Sequence, residues 1–277
     1  MPPPLTILFF GDVVGRPGRK ALCAKLPELR TQYAQKNSGP VFVVVNGENS
    51  ANGSGITRKI ADQIFQAGAD VITTGDHFFR NQEFKECLDD RRILRPANIA
   101  NQASGFGYGV YPVKDTGAEP LMVLVFNLIG RIFLDPADNP FDTADRILAD
   151  VKGQAKIALL DMHAEATSEK VAMGWHLDGK VSAIIGTHTH IQTADERILP
   201  AGSAYLTDAG MCGPYDSVIG RQVEPVLKKF RTGMPARFEV AENNVILCGA
   251  AITVDRQSGL AQTIERFRLP VAPIAGS

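Results

Sequence analysis

Two histidines one residue apart, in the run Gly186-Thr187-His188-Thr189-His190, are the part of this sequence best suited to chemistry. Neutral imidazole is a common ligand for zinc, iron and similar metals. The apolar, β-branched run before it, residues 181–185, has the composition of a buried strand. Side chains just past a strand end can turn toward one pocket. A single H-x-H pair is weak evidence, so its weight depends on whether other strand ends carry matching ligands.

They do. Residues 5–10 predict a strand running into Gly11-Asp12, and 41–45 one running into Asn46-Gly47-Glu48-Asn49. Residues 71–74 lead into Gly75-Asp76-His77, and 157–160 into Asp161-Met162-His163. Taken singly, each residue has a bland reading; Asp12 alone would be a turn residue or a helix cap. Ligand-type residues recurring at five strand ends are hard to produce by core packing. In open α/β sheets, sites form outside the carboxyl ends of the strands. The fifth histidine, His176, falls inside a helix and reads as a surface residue.

Carboxylate, amide oxygen and imidazole together suit Mn, Fe, Zn or Ni. Asp12, Glu48, Asn49, Asp76, His163, His188 and His190 are too many ligands for one tetrahedral ion and about right for two. Two ions roughly 3.5–4 Å apart can clamp an in-line phosphoryl transfer.

The elements that must position these residues follow from periodicity and capping signals. Helices are expected over 19–36, over 57–67 with Thr57 as cap, from about Asn81, over 143–151, from Ser168 as cap to 177, and over 223–231. Strands interleaved with helices predict an α/β sheet with its carboxyl ends on one edge. Beyond Asn98 come shorter extended segments, 108–113 and 121–127. A strand at 204–206 runs into Thr207-Asp208, and segments 237–241, 245–254 and 260–269 alternate like antiparallel strands. One domain spanning 1–277 is expected, with a loose tail at 270–277.

The 277 residues are 44% hydrophobic and 21% charged, with a net charge of -1, which suits a soluble globular protein and supplies no general field for nucleic acid. No window nears the apolar run of about 18 residues that a membrane helix needs. No signal-peptide pattern opens the chain. Cys23, Cys87, Cys212 and Cys248 form no C-x-x-C pair and read as reduced thiols, so a cytoplasmic protein is expected.

Three other motifs fail on context. Gly174 to Lys180 matches G-x-x-x-x-G-K, but Val181 replaces the required Ser or Thr and the run precedes a strand. His163-Ala164-Glu165 has the H-x-E of zinc deaminases without the following P-C-x-x-C. No G-x-S-x-G follows a strand. Arg131 reads as a surface arginine. Asp161 and Glu165 can orient ligand histidines from outside the metal shell, helix capping being an equal alternative for Glu165. Asp208 sits at a strand end near the site and is left out of the metal shell.

As a set, these motifs resemble the calcineurin-like metallophosphoesterases, most closely their bacterial YmdB-like branch. The resemblance is carried by Gly11-Asp12-Val13-Val14-Gly15, Asn46-Gly47-Glu48-Asn49, Gly75-Asp76-His77, the run from Asp161 to Lys170 and the run from Gly186 to Asp195. Thr207-Asp208-Ala209-Gly210-Met211 and Gly213-Pro214-Tyr215-Asp216 add to it, and the similarity spans about residues 5 to 268.

The resemblance implies a four-layer α/β/β/α sandwich around a dinuclear centre. Asp12, Asn49 and His190 would serve one metal, Asp76, His163 and His188 the other, and Glu48 would bridge them. His77 would protonate the leaving oxygen while a metal-bridging hydroxide attacks in line. The ions would be iron or manganese, with zinc, nickel or magnesium as alternatives. The substrate would be a small phosphodiester such as 2′,3′-cyclic AMP, and the protein a homo-oligomer without membrane or general nucleic-acid partners. A regulatory nucleotide-binding metalloprotein with little turnover and a phosphomonoesterase are the competing readings.

One departure stands out: the family usually reads Gly-Asn-His where this chain has Gly75-Asp76-His77, and Phe78-Phe79-Arg80 after it also differs. Two divalent ions with Asp12 and Glu48 leave a formal site charge of about +2, and an ionised Asp76 lowers it to about +1. Tighter metal binding and weaker attraction for phosphate are expected.

Overall fold

Leu5, Ile7 and Phe9 pack into one apolar cluster, and Leu8 and Phe10, from the same strand, into another. A strand that is apolar throughout can bury both faces, because successive side chains point to opposite sides. The structure is a computed structural model and describes residues 2–100, 102–114, 116 and 120–272.

In chain order the elements are β1 (Leu5–Phe10), β2 (Asp12–Val13), α1 (Gly15–Asn37), β3 (Val41–Asn46), α2 (Arg58–Gln66), β4 (Val71–Thr73), a 3₁₀ turn (Gln82–Cys87), β5 (Ile93–Leu94), β6 (Tyr108–Pro112) and β7 (Met122–Ile129). They continue with α3 (Pro140–Asp150), β8 (Ile157–His163), α4 (Thr167–Leu177), β9 (Ala183–Thr187), β10 (Arg197–Ile198), β11 (Ala204–Leu206), β12 (Met211–Pro214), α5 (Val223–Thr232), β13 (Val245–Val254) and β14 (Ala261–Pro270). No helix among the described residues is long and apolar enough to cross a membrane.

The strands form two sheets. The first runs β2-β12-β13-β1-β3-β4-β5, with β14 also paired to β13. The second runs β10-β11-β9-β8-β7-β6. In the first, β1, β3, β4 and β5 are parallel; in the second, β7, β8, β9 and β11 are. Parallel neighbours bring their carboxyl ends to the same edge, as the sequence predicts, but each sheet supplies its own set.

Alternation assigns the core. Phe9 and Val44 of the first sheet meet Val125, Leu159 and Ile185 of the second. The opposite face of the first sheet takes Leu22, Leu26 and Leu29 of α1 and Ile60 and Ile64 of α2. The opposite face of the second takes Ala144 and Ile147 of α3 and Met173 and Leu177 of α4. Burying one such aliphatic or aromatic side chain is worth roughly 1.5–3 kcal/mol.

Several boundaries differ from expectation for identifiable reasons. Helix α1 begins at Gly15 rather than Arg19, because Pro17 lies in its first turn, where no N–H is needed for an intrahelical bond. Ser168 does not cap α4; the helix starts at Thr167 without a side-chain cap. Residues 237–241 form no strand and contribute a single bridge, Arg221 to Val240. Arg237 and Glu239 there are exposed and pair with each other. The ordered chain also reaches past Leu269. Pro270 ends β14, and the Val271 N–H donates to the Val245 carbonyl at 2.9 Å. The rest of the expected tail, 273–277, lies outside the described residues.

All four cysteines are free; Cys87, Cys212 and Cys248 are buried and Cys23 is half-buried.

Candidate metal centre

The carboxyl ends of both sheets converge on one point. Asp12 lies in β2, paired with Met211 of β12. Glu48 and Asn49 follow β3, and Asp76 and His77 follow β4. From the second sheet, β8 ends at His163, and β9 leads into His188 and His190. Asp161 and His163 were expected just beyond their strand and instead lie within it, opposite Asn127 and Ile129 of β7. The reason is tertiary: Asp161 is fully buried and accepts from Thr73 Oγ1 at 2.5 Å and Asn46 Nδ2 at 3.0 Å, so it ties one sheet to the other. Burial raises its carboxyl to about 7, against these hydrogen bonds and that of Thr187.

Four of the seven expected ligands, Glu48, Asp76, His163 and His188, bring one donor atom each within 4.8 Å of one another. His163 Nε2 lies 3.2 Å from Asp76 Oδ1, 3.3 Å from Glu48 Oε2 and 3.0 Å from His188 Nδ1. The remaining three sit beside them. Asn49 Nδ2 is 2.8 Å from Glu48 Oε1 and 3.1 Å from His190 Nε2, and His190 Nε2 is 3.8 Å from Asp12 Oδ1. His77 closes the ring, with Nδ1 donating to Asn49 Oδ1 at 2.8 Å and Nε2 3.3 Å from Asp76 Oδ2. All eight sequence-predicted residues are therefore brought together.

The outer nitrogen of each histidine is already engaged, which fixes the inward one as a lone-pair donor. The Thr187 hydroxyl gives its proton to Asp161 Oδ1 at 2.6 Å, so it accepts from His163 Nδ1 at 2.9 Å. His188 Nε2 meets Glu165 Oε2 at 3.1 Å. His190 Nδ1 donates to the Ile219 carbonyl at 3.0 Å. The orienting partners expected from sequence, Asp161 and Glu165, are thus in position; Thr187 and the Ile219 carbonyl carry no readable signal.

Three observations fit a cation in this pocket. The His163 and His188 lone pairs point at each other. Asp12 Oδ1 is buried with no hydrogen-bond partner among the described residues, an unusual state for a carboxylate oxygen. Glu48 is pushed well above its ordinary range by burial, and next by the charges of Asp76 and Asp12, a crowding that a divalent ion relieves. Burial alone would also raise Asp76, but the His163 and His188 rings, when they carry an extra proton in place of a cation, outweigh it and hold the carboxyl far below the usual range. His77 is lowered to about 4, by burial first, against the opposing pull of Asp76. The cluster of Glu, Asp and His side chains is one that can bind metal ions.

Gly75 makes the close approach possible: a Cβ there would collide with Glu48 Oε2 and His163 Nε2. A cavity of about 280 Å³ opens over the cluster, lined by Glu48, Asn49, His77, His188 and His190 together with Ile219 and Arg221. Arg221 rests against Gly53, where any Cβ would meet the guanidinium, and donates to the Asn52, Gly53 and Phe238 carbonyls. Sequence reading missed Arg221. A larger, open depression of about 580 Å³ beside Pro27, Glu28 and Thr31 has no histidine and no convergent donors.

Arg131 is exposed, as expected; its backbone N–H, with that of Ile132, is held by the Glu169 carboxylate. His176 is half-buried rather than a plain surface residue and pairs with Asp145 at 3.1 Å.

Two mixed α/β sheets with this cluster at their shared edge define a protein of the phosphoesterase-like fold. The crystal structure of a novel phosphatase from Mycoplasma pneumoniae superposes with a TM-score of 0.87 at 32% identity, covering 98% of this chain and 95% of that one. That of a hypothetical protein from Thermus thermophilus gives 0.87 at 35% identity, covering 96% and 99%. The 2′,3′-cyclic-nucleotide 2′-phosphodiesterase of Bacillus subtilis is 46% identical over 264 residues, 95% of this chain and 96% of that protein. Residues 8–267 match the family described as YmdB-like protein. The chain belongs to the YmdB-like family.

Proposed function

We propose that the protein is a dimetal phosphodiesterase that hydrolyses small phosphodiesters, with 2′,3′-cyclic nucleotides as the substrate class. The observation that carries this is the set of three imidazoles whose inward lone pairs meet buried carboxylates beneath a substrate-sized cavity. Asp12, Asn49 and His190 would hold one ion, Asp76, His163 and His188 the second, and Glu48 would serve both. A half-turn of the Asn49 amide would present its oxygen to the ion that His190 serves. When bound, two divalent ions polarise the phosphoryl oxygens and lower the pKa of water to supply the nucleophile.

The chain's own residues do the rest. After the same half-turn the Asn49 NH2 donates to His77 Nδ1, which leaves Nε2 as the protonated nitrogen that hands its proton to the leaving oxygen. Asp76 and the bound phosphate both favour the imidazolium. Arg221 and Ile219 also line the cavity and would meet the part of the substrate beyond the phosphate. Cleavage of the 2′ ester leaves the phosphate on the 3′ oxygen, the outcome named for the Bacillus subtilis relative.

We also infer the setting. The scaffold is a four-layer sandwich forming one domain, supported by three apolar clusters, one between the sheets and one under each helix pair. Iron or manganese suits a carboxylate–imidazole set without thiolate ligands, and zinc, nickel or magnesium ranks behind. Four free cysteines agree with a reducing, cytoplasmic setting. Leu227 and Phe230 of α5, both exposed, agree with a homo-oligomer.

The test is incubation with 2′,3′-cyclic AMP and separation of 3′-AMP from 2′-AMP. Formation of 3′-AMP, abolished by chelator, is expected. Retained ions without turnover would instead make the protein a nucleotide-binding regulator. A phosphomonoester cleaved faster than any diester would favour the phosphatase reading that the Mycoplasma pneumoniae structure raises.

A further inference from the structure

The loop carrying His188 and His190 is held in a conformation it does not favour. His188 has φ of 100° and His190 of 64°, in the left-handed region that residues with a Cβ rarely adopt. Such a loop persists only when its surroundings over-determine it.

The restraint lies in Thr189, between the two. Its backbone N–H and its hydroxyl donate to Asp208 Oδ2 at 3.1 and 2.8 Å. The same oxygen accepts Lys170 Nζ at 2.7 Å, and both charged residues are fully buried. Asp208 Oδ1 accepts the Gly210 N–H at 2.8 Å. The Asp208 main chain is tied to Thr193 in both directions, at 2.9 and 3.1 Å, so both ends of the loop are fastened to one residue. Lys170 comes from α4, Asp208 from the turn after β11, and the loop from the end of β9.

Removing a buried ion pair in favour of apolar side chains is often neutral or stabilising, so a fold does not need one for stability. Neither Lys170 nor Asp208 lines the cavity. We propose that the Lys170–Asp208 pair is a positioning device for the metal centre: it fixes Thr189, and through Thr189 it aims His188 and His190 at two different ions. This rests on the dimetal reading above. A pair that merely fastens α4 to the second sheet would change melting temperature and leave metal affinity alone.

Two variants separate these roles. Thr189→Val removes the hydroxyl donor and leaves the ion pair intact. Lys170→Gln with Asp208→Asn replaces the buried charges by an amide pair of similar shape. Each full-length chain is stripped of metal and titrated with Mn(II), free ion being read by electron paramagnetic resonance. Far-UV circular dichroism and melting of the metal-free protein control for folding. The double variant is expected to bind Mn(II) about tenfold or more weakly, the range for lost outer-shell partners. Thr189→Val should weaken binding in the same direction, and Thr189→Ser should restore the parent's affinity. Parental affinity in Thr189→Val, or in a folded double variant that has lost only melting temperature, overturns the proposal. If the double variant does not fold, the two Thr189 variants decide alone. A parent chain that takes up no pair of Mn(II) ions overturns the dimetal reading itself.

Discussion

His163 Nε2 and His188 Nδ1 lie 3.0 Å apart, and Asp76 Oδ1 is 3.2 Å from the first and 3.4 Å from the second. The far nitrogen of each ring is already spoken for, by Thr187 and by Glu165. Two imidazole lone pairs at this distance are stable only with a proton or a cation between them. The metal-free protein must therefore hold an extra proton or strain where the loaded one holds an ion, and metal uptake should release protons.

Metal removal should accordingly cost stability. An ion at a hundredfold excess over its Kd contributes about 2.7 kcal/mol. Calorimetry before and after treatment with a chelator measures this as a fall in Tm that added Mn(II) reverses. Identical melting curves would contradict a site built for cations.

Gly75→Ala should empty the centre without unfolding the chain. Its Cβ would collide with Glu48 Oε2 and His163 Nε2, two atoms that the metal must also approach. Overpacking of this kind costs roughly 1–3 kcal/mol. Metal content by mass spectrometry should fall by about half or more while circular dichroism is unchanged. Full metal occupancy in Gly75→Ala would mean that the approach of β4 to His163 is looser than described.

Asp76 is not the lone extra charge that the sequence suggests. Arg80 NH2 lies 3.4 Å from Asp76 Oδ2, so the departure at Asp76 and the departure at Arg80 meet in space, and the guanidinium offsets part of the carboxylate. Arg80 is more than half exposed, so its effect on metal affinity should be about fivefold at most. Asp76→Asn should weaken metal binding and shift the pH–rate profile by more than Arg80→Ala does. The double variant should differ from the sum of the two. Additive effects would show that the pair does not act as a unit.

The fold itself should weaken in acid through Asp90. The Arg92 guanidinium, with further help from the Arg92 N–H and Arg58, holds this carboxyl below its ordinary 3.8. A depressed folded value means that the unfolded chain binds the proton first as pH falls. The contribution is therefore complete above about pH 4 and is lost as pH drops through the folded value. Because Arg92 and Arg58 are partly exposed, the loss is about 1 kcal/mol or less. Melts of parent and Asp90→Asn should differ at pH 6 and draw together as pH falls below the ordinary 3.8; a constant gap would remove Asp90 from the account.

The gathering of these carboxylates and histidines was legible because each residue sits where a parallel strand stops and because such side chains have few reasons to collect there. The arrangement of β1, β3 and β4 with α1 and α2 was legible for the same reason, through continuous apolar runs and helical spacing. What stayed hidden is what depends on partners distant in sequence. Asp161 is absorbed into β8 by hydrogen bonds from residues about a hundred positions earlier, Thr73 and Asn46. Ser168 is not a cap, although it has the right chemistry for one. Lys170 does leave a trace in the sequence: it heads the stripe Lys170, Met173, Gly174 and Leu177, spaced as one helix face, and all four are buried. A lysine at the head of an apolar stripe calls for a buried counter-charge, which here is Asp208.

The most direct measurement is metal content per chain in protein purified without added metal, paired with hydrolysis of bis-p-nitrophenyl phosphate by the same sample. The account predicts about two transition ions per chain and a turnover that vanishes on chelation and returns with Mn(II) or Fe(II). One ion or none, even after reloading, would contradict the convergence of both sheets on a dinuclear centre.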